Sequence, residues 1–439
     1  MLVEKNILDG DVPPRRVWDL HANRVVPWWV ARKCPWPISH AWVDDKDLKR
    51  EMSPINGYQW PVPMPKDADL NLIRIEMLNF GAEYIWLDVL CLRQKGEGSD
   101  PRDNPSKEEW ERRELLRREE WKVDLPTIGW VYHNAEKVVY YFSGLGLPLS
   151  FKPGDFENDR CWFNRGWTLQ ETRDNLLIAG EARKLSDDGF MTGHMQKLFE
   201  KKLASLRQMR REESIFRILS QMQKRKSTNP VDKVAGLVYL FYSQYIPIYD
   251  ADQSEEDAWT ELVSIAQDWF RADLFFLYPE PGNGKKFWHP SWEQVMTEVL
   301  PKSSLNKVLY NIKINRTKKG GDKYLGLRID SCRVRGLVDE PSPEIPRCGK
   351  LDITSHLGRK HTFDVVANHA YPIPDGKYTL IGTAKHGSTM EGVIWVVGKE
   401  DGVRKKKFRK VSVLSMANKR EEDKLWKLDV HRYTKTPLL

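Results

Sequence analysis

A chain of 439 residues with 40% hydrophobic side chains and 18 tryptophans carries apolar material for a sizeable core in two or three domains, which excludes a disordered or low-complexity protein. Its 70 basic and 62 acidic residues leave a net charge of +8, a surplus too small to point to a nucleic-acid partner. The cysteines Cys34, Cys91, Cys161, Cys332 and Cys348 are odd in number and far apart, which excludes the usual metal and redox pairs and leaves reduced thiols. No run approaches the roughly 20 apolar residues of a membrane span, and the opening MLVEKNILDGDVPPRR has no apolar signal core, so the cytoplasm, or else the nucleus, is the expected location.

In chain order, residues 15–30 (RRVWDLHANRVVPWWV) read as two short β segments turning at His21-Ala22-Asn23, a hairpin or lid. ISHAW (38–42) is strand-like. The stretch containing Pro54, Pro61, Pro63 and Pro65 is expected to be a long loop, since no helix persists through such prolines. From Asp67 as N-cap, Leu70, Ile73, Met77 and Phe80 recur at helical spacing until Gly81. Tyr84 to Leu92 (YIWLDVLCL) is almost continuously apolar, the pattern of a strand buried on both faces of a parallel sheet, interrupted by the single carboxylate of Asp88. KEEWERRELLRREEW sets Glu108/Arg112, Glu109/Arg113 and Glu114/Arg118 four residues apart in the favourable order, predicting a helix that Pro126 ends. A second helical piece runs to Asn134, KVVYYF (137–142) is another buried strand, WFNRGWTLQE (162–171) a helix and LLIAG (176–180) a fourth strand.

Alternating strands and helices predict an α/β domain over residues 1–194, a flavodoxin-like parallel sheet with right-handed crossovers preceded by the N-terminal β-hairpin. In such sheets ligands lie outside the carboxyl ends of the strands, so the loops after His40, Asp88 and Ser143 should border any site. Residues 195–319 are charged and helical in pattern, with VDKVAGLVYLFYS and SEEDAWTELVSIAQDWF as further amphipathic helices. Residues 320–439 alternate Val/Ile/Tyr-rich runs with Gly and Asp turns and predict a separate antiparallel β-rich domain. The basic run Arg404 to Lys410 sits in a hairpin-like context and reads as a solvated face or guarded edge strand. Gly282-Asn283-Gly284-Lys285-Lys286 lacks the spacing and the Ser/Thr of a phosphate loop and reads as a turn.

Four blocks, ISHAW (38–42), YIWLDVLCLRQ (84–94), YHNAEKVV (132–139) and RGWTLQE (165–171), in this order and followed by NPVDKVAGLVYL, resemble the fungal heterokaryon-incompatibility (HET) domain over residues 15–240. The resemblance implies an effector of fungal non-self recognition and programmed cell death. HET domains are in turn distantly similar to Toll/interleukin-receptor (TIR) domains, some of which hydrolyse NAD with a glutamate in a Trp-Cys-x-x-Glu setting. Trp167-Thr168-Leu169-Gln170-Glu171 resembles that setting, with Thr168 in place of cysteine, so the resemblance carries the catalytic role to Glu171. It implies NAD(P) as substrate, no tightly bound cofactor and no metal. Homo-oligomers through the α/β domain, or a regulatory protein, are the implied partners; a non-enzymatic self-associating adaptor and a degenerate paralogue are the rival readings.

A carboxylate beside the ribose would stabilise the oxocarbenium-like state of glycosidic cleavage and orient a water. Glu171 has that role in one reading; in the other it pairs with Arg165 or serves packing. Trp167, four residues earlier, would share its helical face and stack on nicotinamide or adenine. Asp88 needs a donor if buried, either His40 or a backbone group, and would otherwise bind ribose hydroxyls. Ser39, His40 and Trp42 end the first strand at the mouth of the crevice, and Gln94 and Arg165 complete the expected pocket. A Ser39/His40/Asp88 hydrolase is not expected, because neighbouring strand residues face opposite sides of a sheet.

Overall fold

The computed structural model describes residues 2–4, 7–95, 106–180, 193–212, 214–302, 313–317, 321–338, 346–383, 392–402, 406–428 and 430–439. The chain divides into two compact units, Met1–Glu213 with Lys224–Ala258, and Ser214–Gln223 with Trp259–Leu439. Mixed α/β elements build the first. An antiparallel sheet dominates the second. The expected helical region 195–319 is shared between them.

In the first unit, β1 (Leu2–Glu4) and β2 (Ile7–Asp9) form a small sheet with β11 (Tyr245–Pro247). The predicted hairpin is present: β3 (Arg16–Asp19) and β4 (Arg24–Pro27) pair antiparallel, with Asn23 at φ 50° in the turn, and α1 (Trp28–Ala31) follows. These strands extend a sheet made with β5 (Trp36–His40), β8 (Tyr84–Trp86), β9 (Val138–Tyr141) and β10 (Leu176–Ile178), in the order β10-β9-β5-β8-β3-β4. The pairs β5/β8, β5/β9 and β9/β10 are parallel, whereas β3 joins β8 antiparallel. All residues of β5 and β9 are buried, as expected of strands covered on both faces.

Several boundaries differ from expectation for local reasons. The proline-rich stretch is not a loop: β6 (Leu48–Met52) and β7 (Pro61–Pro65) pair in a two-stranded sheet, where prolines are accepted because neither edge must donate a full ladder. Helix α2 (Leu70–Asn79) is capped by Asp69, whose carboxylate accepts from Asn71 N at 2.7 Å, not by Asp67, and it ends before Gly81 at φ 89°. YIWLDVLCL is not one strand. It leaves the sheet after Trp86 and forms the helical turn α3 (Asp88–Cys91), because the Asp88 carboxylate accepts from Val89 N at 2.7 Å.

Helix α4 (Lys107–Asp124) starts at Ser106, which caps Glu109 N, and carries ion pairs Glu109–Arg113 at 2.6 Å and Glu114–Arg118 at 3.5 Å. After the break at Pro126 comes α5 (Ile128–Asn134). WFNRGWTLQE is not a continuous helix but a 3₁₀ turn at Trp162–Asn164 and the single turn α6 (Thr168–Glu171), separated at Gly166, whose N–H donates to Lys226 O at 2.8 Å. Helix α7 (Gly193–Glu212) follows. VDKVAGLVYLFYS divides at Gly236 into α9 (Val231–Ala235) and a 3₁₀ turn.

The second unit contains α8 (Ile215–Gln223). SEEDAWTELVSIAQDWF splits into α10 (Glu255–Ile265), whose residues to Ala258 belong to the first unit, and α11 (Asp268–Phe276); α12 (Trp292–Thr297) opens with a capping box at Ser291. The antiparallel sheet comprises β12 (Lys313–Arg316), β13 (Asp322–Arg335), β14 (Arg347–Thr354), β15 (Lys360–Ala367), β16 (Gly376–Gly382), β17 (Ile394–Asp401), β18 (Lys407–Met416) and β19 (Arg432–Leu438), with α13 (Lys419–Lys427) before the last strand. Six of these close on themselves in the order β13-β14-β15-β18-β17-β16, since β16 also pairs with β13. Two three-stranded meanders thus form a barrel whose interior is filled by Ile329, Val334, Phe363, Leu380, Trp395 and their neighbours. In the basic run, Arg404 and Lys405 lie outside the described residues, while Lys406 pairs with Glu400 at 2.8 Å. Lys410 is buried and donates to the carbonyls of Leu274, Phe275 and Tyr278, which closes the C-terminus of α11. Among the described residues no helix is long and apolar enough to cross a membrane.

Candidate functional site

The pleat of β5 turns its last two side chains to opposite faces. On one face the Ser39 hydroxyl donates a short hydrogen bond to the Glu171 carboxylate and accepts from Trp162 Nε1 at 2.7 Å. On the other, His40 Nε2 lies 2.9 Å from Asp88 Oδ1, and Nδ1 lies 3.1 Å from the carbonyl of Ala41. Ser39 and Asp88 therefore serve different partners and no Ser/His/Asp relay forms. Asp88 takes the partner expected of it, but from the first turn of α3 rather than from a strand.

Arg165 bridges the two faces. Its Nη1 donates to the carbonyl of His40 at 2.8 Å, and its guanidinium stands 5.9 Å from the ring of Trp42, which is itself 5.7 Å from the His40 ring. Ser39, His40, Trp42, Asp88, Arg165 and Glu171 thus gather at the carboxyl end of β5, between β8 and β9, where the strand order reverses. Two expected residues lie elsewhere. The amide of Gln94 donates to the carbonyls of Asp88 (3.2 Å) and Leu92 (3.0 Å), ending α3, and borders a shallow cleft with Gln59, Trp60, Arg93 and Trp110. The ring of Trp167 rests 6.3 Å from Tyr249 and its N–H serves Asp232, so it packs locally.

Burial sets the electrostatics. Glu171 is 9% exposed, and desolvation holds its carboxyl above the usual glutamate range against the opposing pull of Arg165 and the bond from Ser39. Burial acts on Asp88 in the same sense, yet the His40 charge and hydrogen bond, with Arg165 behind them, outweigh it and keep that carboxyl below its ordinary value. Two carboxyls one strand apart are thereby pushed in opposite directions.

Residues the sequence did not announce hold this arrangement. Arg225, buried, donates from Nη1 to Arg165 O and to Thr168 Oγ1, each at 2.6 Å, and burial brings its guanidinium down to about 9. It sits within KRKSTNP, where a basic run gives no sign of an interior role. The Tyr140 hydroxyl donates to Glu171 O at 2.7 Å and accepts from Arg173 N at 3.0 Å, while that of Tyr132 donates to Ile38 O at 3.0 Å. Cys91 is sealed in the core, with its thiol pushed up to about 12, and offers no thiolate. Among the described residues no group of three or more His, Cys, Asp and Glu side chains is arranged to hold a metal ion.

No protein-family model matches this chain, and neither curated proteins nor solved structures yield a match.

Proposed function

We propose that the chain is a HET-type effector of fungal non-self recognition, acting in the cytoplasm or nucleus, whose first unit is a TIR-like, flavodoxin-like module that cleaves NAD(P) at the nicotinamide glycosidic bond. The order 2-1-3-4 of its four parallel strands, taken in chain order, supports the flavodoxin-like reading. All four blocks that carry the resemblance meet around one point: ISHAW supplies Ser39 and His40, YIWLDVLCLRQ supplies Asp88, YHNAEKVV supplies Tyr132, and RGWTLQE supplies Arg165 and Glu171.

The observation that carries the reading is the Glu171 carboxylate held by Ser39 at the strand-order reversal. In the reaction the C1′–N bond breaks with its electron pair leaving on nicotinamide. Glu171, ionised, stabilises the ribosyl cation, and water then adds at C1′ and gives up a proton. A ribose hydroxyl would take the place of Ser39 on that carboxylate. The purified chain should release nicotinamide from NAD or NADP, and the Glu171→Gln chain, with an unchanged far-UV circular dichroism spectrum, should not. Equal release by both, or none by the wild type, rejects the enzymatic reading.

One observation favours a second reading, that of an adaptor acting by assembly: Glu171 is 9% exposed and already engaged inside the fold. Under that reading Glu171→Gln leaves cell death on expression intact while cellular NAD stays constant.

A further inference from the structure

Helix α4 presents a face whose charges and leucines repeat in reverse. Leu115 is 61% and Leu116 46% exposed at its centre. Arg112 precedes Leu115 by three residues and Leu116 by four, while Glu119 follows Leu116 by three and Leu115 by four. Seven residues are nearly two full turns, so Arg112 and Glu119 stand above and below the leucines on one face. Both are exposed. Farther out, Glu108 and Lys122 repeat the pattern with sign reversed, within one residue of the same centre.

The opposite face is occupied. Glu120 binds Arg16 at 2.8 Å and Arg93 at 3.1 Å, Asp124 binds Arg15 at 3.0 Å, and Trp121 Nε1 donates to Arg93 O at 2.8 Å. The leucines are therefore not a core face misplaced, because the helix is already anchored through its other side.

We propose that this face docks on the same face of a second copy of the chain, the two α4 helices running antiparallel about a two-fold axis between Leu115 and Leu116. That axis sets Arg112 of each copy against Glu119 of the other, and Glu108 near Lys122, with four leucines closed between them. A parallel arrangement would set Arg112 against Arg112 and Glu119 against Glu119, so the charge order selects the antiparallel pair. A two-fold interface requires a patch complementary to itself, which this reversed pattern supplies. An apolar core of four leucines under an exposed charged rim makes the contact weak and salt-sensitive.

The proposal goes beyond the glycohydrolase reading and does not rest on it: Glu171 is hydrogen-bonded to Ser39 and sits in the field of Arg165, Asp88 and His40, none of them on α4, so association and nicotinamide release fail independently. Sedimentation equilibrium of the full chain at low salt should show a reversible monomer–dimer equilibrium. Arg112→Glu and Glu119→Arg, each alone, should weaken it by about tenfold or more by facing like charges across the axis. The double variant R112E/E119R restores opposite charges across the axis, though it gives up the Glu119–Lys122 pair within each helix, and should bind at least about threefold more tightly than either single variant. A wild type that stays monomeric at every attainable concentration overturns the proposal. So does a dimer that both single variants leave unchanged, or one that the double variant does not rescue; far-UV circular dichroism confirms folding in each case.

Discussion

Trp162 is the side chain on which the candidate site hangs, and Trp162→Phe separates its two duties. The indole is fully buried against Tyr140, Phe142 and Phe163, at ring separations of 5.6, 5.0 and 5.2 Å, and its N–H donates to Ser39 at 2.7 Å. Phenylalanine keeps most of the packing and removes the donor. Leaving the Ser39 hydroxyl without its N–H costs about 1–3 kcal/mol. The missing ring volume, on the order of 40 Å³ at about 24 cal/mol per Å³, adds about 1 kcal/mol. The expected loss is therefore about 2–4 kcal/mol, against about 0.5 kcal/mol or less for Phe at the exposed Trp110.

Because the chain has two compact units, a single unfolding curve would mix them, and hydrogen exchange of the β5 and β9 amides in the full chain reads the first unit by itself. If the Trp162–Ser39 bond organises the site, Trp162→Phe and Ser39→Ala should couple by about 0.5–3 kcal/mol in a double-mutant cycle. Full additivity of the two, or protection of β5 unchanged in Trp162→Phe, would refute the reasoning.

Glu171 also makes a pH prediction. Its carboxyl lies above the ordinary value of 4.5, so the folded state holds the proton more tightly than the unfolded chain, and this group's contribution to stability falls as pH rises from 4.5 through the raised value. Glu171→Gln, which cannot ionise, should gain on the wild type across that window in the hydrogen-exchange protection of the β5 and β9 amides; a difference that does not vary with pH contradicts it. In the barrel the sign reverses. Burial opposes ionisation of Asp352, but bonds from Thr362, Arg335 and Lys360 outweigh it and bring the carboxyl down to about 2, so its stabilisation is present above 3.8 and lost as pH falls from there to about 2. Asp352→Asn should flatten the loss of hydrogen-exchange protection of the β14 and β15 amides on acidification, and a loss as steep as wild type would exclude this role. Lys410→Met keeps the length of the side chain and strips donors from three carbonyls at the end of α11; a loss of about 1–3 kcal/mol is expected by denaturation, whereas a more stable variant would mean that burying the amine costs more than its bonds return.

Most of what was legible from sequence alone carried a local pattern. The apolar runs of β9 and β10, the 3.6-residue repeat of α2, the Glu-before-Arg spacing of α4 and the alternation after residue 320 each state their element, because backbone geometry imposes the period on whichever side chains must face inward. Caps and breaks were less legible: a carboxylate at Asp88 competes for the next backbone N–H and turns an apolar run out of the sheet, and the prolines of β7 are tolerated only because that strand has a single partner. The candidate site is a different matter. Ser39 meets Glu171 across 132 residues, Arg165 meets His40 across 125, and Arg225 reaches Thr168 across 57. The family-like blocks marked the first two pairs as residues of interest, but that their side chains touch, that Trp167 turns to Tyr249 instead, and that a lysine-rich boundary buries Arg225 were decided by the tertiary structure. The reason is physical: a periodic pattern says which face of an element is inward, whereas contact between elements depends on strand order and crossover geometry, to which no local stretch of sequence is committed.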